Sequence, residues 1–235
     1  MPGHFTFYSN QIEGDTAWFS EAEAKHAIQV LRYGVGEKIE FTNGLGIRFH
    51  AEITTISKKD FSAKITSRVE ENKPISIHLF MGVLKAGDRM EWAVEKCTEL
   101  GVETIVFVST KNSERAKVNL ERMNKVAMSA MKQSHGAFLP EILQLTFDES
   151  MRWGDGKTSN KAIAYCEFAE MDTAEKIRDL SLPATVFIGP EGDFTREEVG
   201  KAQANGWKIL MLGDQILRSE TAAVSVTAAL RMLHL

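Results

Sequence analysis

The fold is decided by residues 184–224, which read ATVFIGPEGDFTREEVGKAQANGWKILMLGDQILRSETAAV. Two short apolar runs in this stretch each end at a loop that contains glycine, and each loop leads into a segment with helix signals. Thr195 and Glu198 form a capping box at the start of the first helix, and Gly206 ends that helix. Strands that alternate with helices in this way are typical of a mostly parallel sheet covered by helices.

The same alternation extends back along the chain to Ile75. We predict strands at ISIHLFMGV, TIVFVS and KAIAYCE, and helices at DRMEWAVEKCTELG and NLERMNKVAMSAMKQS, from apolar spacing. TAEKIRDL is predicted as a short helix, and FDESMRWGDGKTSN as a polar loop that interrupts the pattern. The pattern therefore predicts an α/β domain over residues 74–235.

The first 73 residues have a different pattern and form a predicted small β domain. EKIEFTNGLGIRFHAEITTIS alternates apolar and polar residues around Asn43-Gly44, which is a strong hairpin signal. SEAEAKHAIQVLR is predicted to be a short helix with Ser20 as its N-cap and Glu23 completing a capping box. ENKP, which ends at Pro74, predicts a domain boundary, so we expect domains 1–73 and 74–235.

The net charge of −4 argues against a general nucleic-acid binder, because such proteins neutralise phosphates with an excess of basic residues. RNA binding would need a local basic patch. One candidate is the stretch from Lys111 to Lys132, which has six basic residues and two acidic ones. A solvated helix face is the alternative interpretation of the same stretch.

The two cysteines, Cys97 and Cys166, fit neither a disulfide framework nor zinc-ligand spacing. We therefore expect no metal, and we expect both thiols to be small buried hydrophobic groups in a reducing cytoplasm. No apolar run approaches the roughly 18 residues that a membrane span needs. The start, MPGHFTFYSN, lacks the features of a signal peptide.

The loops after the strands are the candidate ligand sites, since open parallel sheets bind ligands at the carboxyl ends of their strands. One loop covers residues 168–173. A second contains Gly189, Pro190 and Gly192, where the backbone can approach a ligand closely and free amides can receive its polar atoms. No dinucleotide-binding or P-loop glycine pattern occurs, which disfavours a dinucleotide or nucleoside triphosphate. A tight loop without a ligand is the alternative.

The third loop, residues 213–221, combines apolar and charged residues. Ser219 is expected to cap the last helix, and the negative charge of Glu220 stabilises its first turn. A purely structural role therefore accounts for Glu220. That role leaves Ile216 and Leu217 unexplained, because apolar residues in a polar loop need something to cover. Arg218 stands between them and the helix.

Four segments occur in an order that carries a family resemblance: KAGDRMEWAVEKCTELGV, KQS with LPEI, IGPEGDFTREEV and LGDQILRSETAAV. They resemble the catalytic motifs of the ribosomal RNA small-subunit methyltransferase E family, and HAIQVLRYGVGEKIEFTNGLG resembles its PUA-like RNA-binding domain. The resemblance covers nearly the whole chain. It implies a SPOUT domain with a parallel sheet and a trefoil knot, a PUA-like β-barrel, and a homodimer with its site near the subunit interface.

The resemblance also implies an activity. These enzymes transfer a methyl group from S-adenosylmethionine to N3 of one uridine in 16S ribosomal RNA. The expected partner is therefore 16S rRNA or the small ribosomal subunit, in the cytoplasm, and the expected cofactor is S-adenosylmethionine.

The resemblance assigns roles to particular residues of this chain. Arg218 is expected to stabilise negative charge on the uracil, and Glu191 or Glu220 to orient Arg218 or accept the proton. The cofactor contacts carried over are Phe168, Ile188, Gly189, Pro190, Glu191, Gly192, Leu212, Gly213, Ile216, Leu217 and Ala222. The expected RNA contacts are Lys25, His26, Arg32, Arg48, Arg115 and Lys132.

One segment departs from the family pattern. The family often has an acid before Gln-Ser and an arginine shortly after it, whereas this chain has Lys132 before and His135-Gly136 after Gln133-Ser134. One expected RNA or interface contact is thus in doubt. Two other functions stay open: a SPOUT enzyme that methylates ribose 2′-oxygens, and a non-catalytic RNA-binding assembly factor. A dehydrogenase is disfavoured because its phosphate-binding pattern is absent.

Overall fold

The structure, a computed structural model, describes residues 6–73, 76–113, 117–166 and 175–234 of the 235-residue chain. The chain forms two compact units. The first unit runs to Lys73 and also includes Met128–Leu139, and the second takes the rest of the chain. No sequence signal indicates that residues 128–139 join the first unit.

The first unit is a curled six-stranded sheet with the strand order β1-β4-β5-β6-β3-β2. β1 pairs with β4 in parallel, and the other neighbours are antiparallel. Stacked and edge-to-face phenylalanine rings fill its core, among them Phe7, Phe19, Phe41 and Phe61. The strands are β1 Thr6–Tyr8, β2 Gln11–Glu13, β3 Thr16–Phe19, β4 Lys38–Thr42, β5 Ile47–Ile56 and β6 Phe61–Glu70.

The hairpin predicted at Asn43-Gly44 is confirmed, because β4 and β5 pair as antiparallel strands around it. Two glycines permit the turn. Gly44 and Gly46 have φ values of +75° and +91°, in the left-handed region that side chains disfavour. A Cβ at Gly46 would also overlap the Phe138 ring, so the loop fits only glycine there.

The helix predicted after Ser20 is present as α1 (Glu21–Lys25), which continues as a single π-helical segment, His26–Val30. The predicted capping box is wrong. Ser20 is the N-cap residue but makes no side-chain cap hydrogen bond. Glu23 is buried and accepts a hydrogen bond from Lys132 Nζ at 2.5 Å. An ion pair in a poorly solvated site competes successfully for the carboxylate that the capping box would have used.

The second unit contains a seven-stranded sheet with the strand order β11-β13-β10-β12-β7-β8-β9. Every neighbouring pair in this sheet is parallel, as the sequence predicts. The strands are β7 Ile77–Gly82, β8 Thr104–Ser109, β9 Glu141–Thr146, β10 Lys161–Ala164, β11 Glu175–Lys176, β12 Ala184–Ile188 and β13 Lys208–Met211. The helices are α2 Gly87–Glu99, α3 Leu120–Gln133, α4 Phe147–Asp155, α5 Arg196–Ala204 and α6 Ser219–Leu233, with a 3₁₀ turn at Ile177–Asp179. Of α3, the residues from Met128 onward belong to the first unit.

Two predictions for this unit are wrong. The segment predicted as a polar loop contains α4, because Thr146 and Glu149 form a capping box and Phe147 and Met151 bury one face of the helix. The helix predicted over residues 173–180 is replaced by β11, which adds two residues to the sheet beside β13, and by the 3₁₀ turn that follows. Residues 173 and 174 lie outside the described part of the chain.

The last helix returns across the sheet rather than staying beside its own strand. α6 follows β13 and packs on α2, β7 and β12. A trefoil knot of the expected kind requires such a return. It also places the N-terminus of α6 near the loops that follow β10, β12 and β13. Among the residues described here, no helix combines the length and apolar character that crossing a membrane would require.

Candidate active site

A cavity of about 500 Å³ lies in the second unit, at the carboxyl ends of β10, β12 and β13. Its size is within the range that small-molecule sites occupy. The loops after β12 and β13 line it together with residues 164–166 and one side chain of α2. The lining includes Ile188, Gly189, Pro190, Glu191, Gly192, Leu212, Gly213, Ile216, Leu217, Arg218, Glu220 and Ala222.

The structure thus brings together ten of the eleven residues predicted to contact the cofactor and all three predicted catalytic residues. Phe168 is the exception, since it falls outside the described residues. Parallel strands end at the same edge of a sheet, which is why loops far apart in sequence meet here.

Close packing fixes the loop after β12, residues 189–194. A Cβ at Gly82, the last residue of β7, would lie 2.5 Å from Pro190 N, so only glycine permits this approach. Asn112 Nδ2 donates hydrogen bonds to the carbonyl oxygens of Gly192 at 2.9 Å and Asp193 at 3.1 Å. Contacts from β7 and from the loop after β8 therefore hold this loop in place.

Asp193 joins two of the loops that line the cavity. It has a φ of +56°, and its carboxylate accepts hydrogen bonds from Phe194 N at 2.8 Å and from Cys166 N at 3.2 Å. Burial raises the pKa of Asp193 above its usual value, and the hydrogen bonds partly oppose this rise. The side chain thus fixes the end of β10 to the loop after β12.

The two thiols differ, and the prediction that both are buried is wrong for Cys166. Cys97 is buried on α2, where burial raises its pKa to about 12, and its Sγ lies 3.6 Å from Thr227 Oγ1. Cys166 is exposed and lines the cavity. It follows the end of β10, where the sheet stops and the site begins.

The loop after β13 presents its apolar and charged residues to the cavity. Ile216 is 74% exposed, and Leu217 is half-buried. Arg218 is exposed and is the N-cap residue of α6, so the prediction that Ser219 caps this helix is wrong. The described residues offer Arg218 no ion-pair partner, which leaves its guanidinium available to a ligand.

Arg89, on the first turn of α2, is a site residue that sequence analysis missed. Its Nη1 lies 3.9 Å from Glu191 Oε1, and its Nε lies 3.7 Å from Glu220 Oε1. Glu191 or Glu220 was expected to orient Arg218 or to accept the proton, and the structure places both carboxylates beside Arg89. The sequence signal was weak, because an arginine in the first turn of an amphipathic helix is usually part of the solvated face.

Glu220 is the most buried charged group in the cavity wall. It is 8% exposed, and its Oε2 accepts no hydrogen bond from the part of the chain that the structure describes. Glu191 is more accessible, and the hydrogen bonds that it receives from Lys85 N are long, at 3.3 and 3.4 Å. Glu220 is therefore largely buried, whereas Glu191 is accessible to solvent.

The predicted RNA contacts also differ in their surroundings. Lys25 and Arg32 are exposed in the first unit, and Arg32 has a φ of +59°. Burial, followed by the nearby Lys132 ammonium, holds the pKa of His26 below its usual value, so its ring is neutral at pH 7. Arg48 pairs with Glu40 and Glu71, and Lys132 pairs with Glu23. Arg115 lies outside the described residues.

The basic stretch from Lys111 to Lys132 is less positive than its sequence indicates. Lys111 pairs with Glu197, Arg122 pairs with Glu91, and Lys125 pairs with Glu121. These acids offset much of the local positive charge. For Arg122 and Lys125, which lie on α3, the interpretation as a solvated helix face is thus favoured over an RNA-binding patch.

The fold and the cavity define a SPOUT-type RNA methyltransferase. A family model described as an RNA methyltransferase domain matches residues 71–231, and a model described as an RNA methyltransferase PUA domain matches residues 19–66. The chain belongs to the ribosomal RNA small subunit methyltransferase E family of RNA methyltransferases. The predicted family and fold class are confirmed.

Three similar proteins illustrate the match. The ribosomal RNA small subunit methyltransferase E of Rickettsia conorii is 28% identical, over 91% of this chain and 88% of its own. The crystal structure of a probable rRNA-methyltransferase from Porphyromonas gingivalis is 31% identical, covers 97% of this chain and 98% of its own, and has a TM-score of 0.88. A ribosomal RNA small subunit methyltransferase E from Neisseria gonorrhoeae, bound to S-adenosyl methionine, is 27% identical over 98% of each chain, with a TM-score of 0.81.

Proposed function

We propose that the protein methylates N3 of a specific uridine in the 16S rRNA of the small ribosomal subunit, with S-adenosylmethionine as the methyl donor. The chain is an S-adenosylmethionine-dependent rRNA methyltransferase. One observation carries the assignment of its site. The cavity of about 500 Å³ collects the glycine-containing loop after β12 and the Arg218 loop after β13 around one space.

The residues of the cavity suit this donor. S-adenosylmethionine, when bound, supplies a methyl group on a positively charged sulfur. Ile216 and Leu217 offer apolar surface for its adenine ring, and the backbone around Gly189 offers close approach for its polar atoms. The buried Glu220 oxygen without a hydrogen-bond partner in the described chain favours a polar or cationic group of a ligand.

We assign Arg218 and Glu191 to the reaction at the RNA base. N3 of uracil becomes nucleophilic when it loses its proton, and the base must be unpaired to reach the cavity. The exposed Arg218 guanidinium would stabilise the negative charge that spreads onto the uracil oxygens. Arginine stays protonated, so we propose a carboxylate as the proton acceptor, with Glu191 and Glu220 as our candidates among the four carboxylates that line the cavity.

Three further parts of the function are proposals. Lys25 and Arg32 on the first unit would contact RNA, because both are exposed and basic.

A homodimer would cover Trp92 and Met232, which are 42% and 69% exposed on the packed helices α2 and α6. Light scattering at micromolar concentration tests for the dimer. The unpaired thiols favour a reducing compartment such as the cytoplasm.

The experiment is methyl transfer from radiolabelled S-adenosylmethionine to small subunits and to free 16S rRNA, both from cells that lack the gene. Nucleoside mass spectrometry then identifies the methylated atom. We expect one N3-methyluridine per subunit. A 2′-O-methyl ribose would indicate the other kind of SPOUT enzyme. Binding of RNA without any transfer would indicate an assembly factor.

A further inference from the structure

The protein around Glu220 supplies only some of the interactions that its carboxylate can make. Its Oε1 lies 3.7 Å from Arg89 Nε, a distance that gives charge attraction but no hydrogen bond. Its Oε2 is buried and accepts no hydrogen bond from the described chain. The residue lines the cavity and is 8% exposed.

Burying such a carboxylate costs free energy unless a ligand interacts with the oxygen that has no partner. A buried carboxylate oxygen without a partner carries a desolvation penalty that a cation or a hydrogen-bond donor relieves. Arg89 and the N-terminus of the 15-residue helix α6 both favour negative charge at this point, so the fold supports a carboxylate here. Glu220 therefore brings negative charge to the cavity wall, and one of its oxygens is buried there without a partner in the described chain.

The methyl donor and its demethylated product differ in one charge. Both carry an ammonium and a carboxylate, but only the donor has a sulfonium. An ammonium needs acceptors for three N–H groups, whereas a sulfonium has no N–H and needs only negative charge nearby. A single oxygen that lacks a partner in the described chain matches the second requirement.

We infer that Glu220, supported by Arg89, is the residue that recognises the sulfonium and so makes the cavity prefer the methyl donor over its product. This inference rests on the proposed function. After transfer the sulfur is neutral, and the carboxylate loses its attraction for the ligand, which promotes release. Glu191, which is more exposed and also lies beside Arg89, is then the carboxylate that we assign to accept the N3 proton.

The test compares the dissociation constants of S-adenosylmethionine and S-adenosylhomocysteine, measured by calorimetry at pH 8. For Glu220→Gln, which keeps the shape and removes the charge, we expect donor affinity to fall at least about tenfold. Product affinity should change less than about twofold, since the product lacks the charge. The matched control is Glu197→Gln, an exposed acid on α5 outside the cavity lining, which should change neither constant.

Equal weakening of both ligands would overturn the inference, because Glu220 would then hold a group that they share. An unchanged donor affinity would overturn it as well. If Glu220→Gln does not fold, Arg89→Gln gives the second test. Loss of the cation that supports the Glu220 carboxylate should lower the preference for the donor, and an unchanged or raised preference would contradict the inference. Wild-type protein that binds neither ligand, with or without rRNA, would instead defeat the proposed function.

Discussion

Arg218 is positioned by the fold yet contributes little to it. It caps α6 only through its backbone and has no ion-pair partner among the described residues. We therefore expect Arg218→Ala to change the free energy of unfolding by less than about 0.5 kcal/mol, as for other exposed sites. Because the guanidinium would stabilise developing charge, the rate of methyl transfer should fall about 10²–10³-fold. Single-turnover kinetics and donor calorimetry, together with urea denaturation, measure these effects on the same samples.

The matched control for this change is Arg152→Ala, an exposed arginine on α4 that does not line the cavity. It should keep the wild-type rate and donor affinity. Arg218→Lys should recover part of the rate, because it restores the charge without the planar fork. A wild-type rate in Arg218→Ala would remove this residue from the chemistry.

Asp193 gives a prediction that depends on pH. Burial raises the pKa of its carboxyl in the folded protein above the unfolded value of about 3.9. The stability that this group contributes is therefore fully present below about pH 3.9 and is lost as pH rises through the higher folded pKa. Asp193→Asn has no such titration. The unfolding free energy of wild type minus that of the variant should thus decrease as pH rises above about 4, as urea denaturation would measure.

Asp193→Gly is the control for the backbone at this position, because glycine also accepts the φ of +56°. In Asp193→Asn the new amide keeps an oxygen for Phe194 N, but its nitrogen cannot accept from Cys166 N. Both variants should therefore loosen residues 165–166 at the cavity wall. A difference that stays constant with pH would show that the carboxyl does not titrate in this range.

At the scale of elements, α4 and α5 both begin with a capping box. Thr195 Oγ1 accepts from Glu198 N at 3.2 Å at the start of α5, and Thr146 Oγ1 accepts from Glu149 N at 3.3 Å at the start of α4. Either threonine changed to alanine should lower the free energy of unfolding by about 1 kcal/mol. Only Thr195→Ala should also weaken donor binding, since α5 follows the loop of residues 189–194.

Glu198 explains why the effect at Thr195 reaches the site. Its Oε2 accepts from Thr195 N at 2.9 Å, and its Oε1 accepts from Lys111 N at 2.9 Å, so the cap also fixes the loop after β8. Chemical denaturation and donor calorimetry of the two alanine variants separate stability from binding. Equal donor affinity in both variants would mean that the cap serves only the helix.

The two capping boxes also show which elements can be predicted from the sequence. The one at Thr195 is predictable, because a clear apolar strand and a glycine loop precede it. The one at Thr146 was missed, because β9 before it is only partly buried and the helix after it is polar on its outer face. Local signals identify elements where the apolar contrast is strong. Arg89 was missed for a different reason, since a contact between α2 and two distant loops depends on tertiary packing.

At the scale of the whole molecule, the two units imply a division of labour between RNA contact and methyl transfer. The family models divide the chain in a similar way, with a PUA domain at residues 19–66 and a methyltransferase domain at residues 71–231. The net charge of −4 makes the location of exposed basic residues important. Arg48 and Lys132 are paired with acids, so they contribute less to an RNA surface than the sequence indicates.

The remaining exposed candidates, Lys25 and Arg32, allow a direct test of that division. The double change to alanine should weaken binding of 16S rRNA and lower the salt dependence of binding by up to about two counterions, because each phosphate contact releases about one. Donor affinity should not change, since both residues belong to the first unit and the cavity lies in the second. The control is Lys58→Ala with Lys59→Ala, two exposed lysines at the turn before β6. Filter binding at several salt concentrations measures the slope, and an identical loss in both double variants would show that total charge, rather than this surface, attracts the RNA.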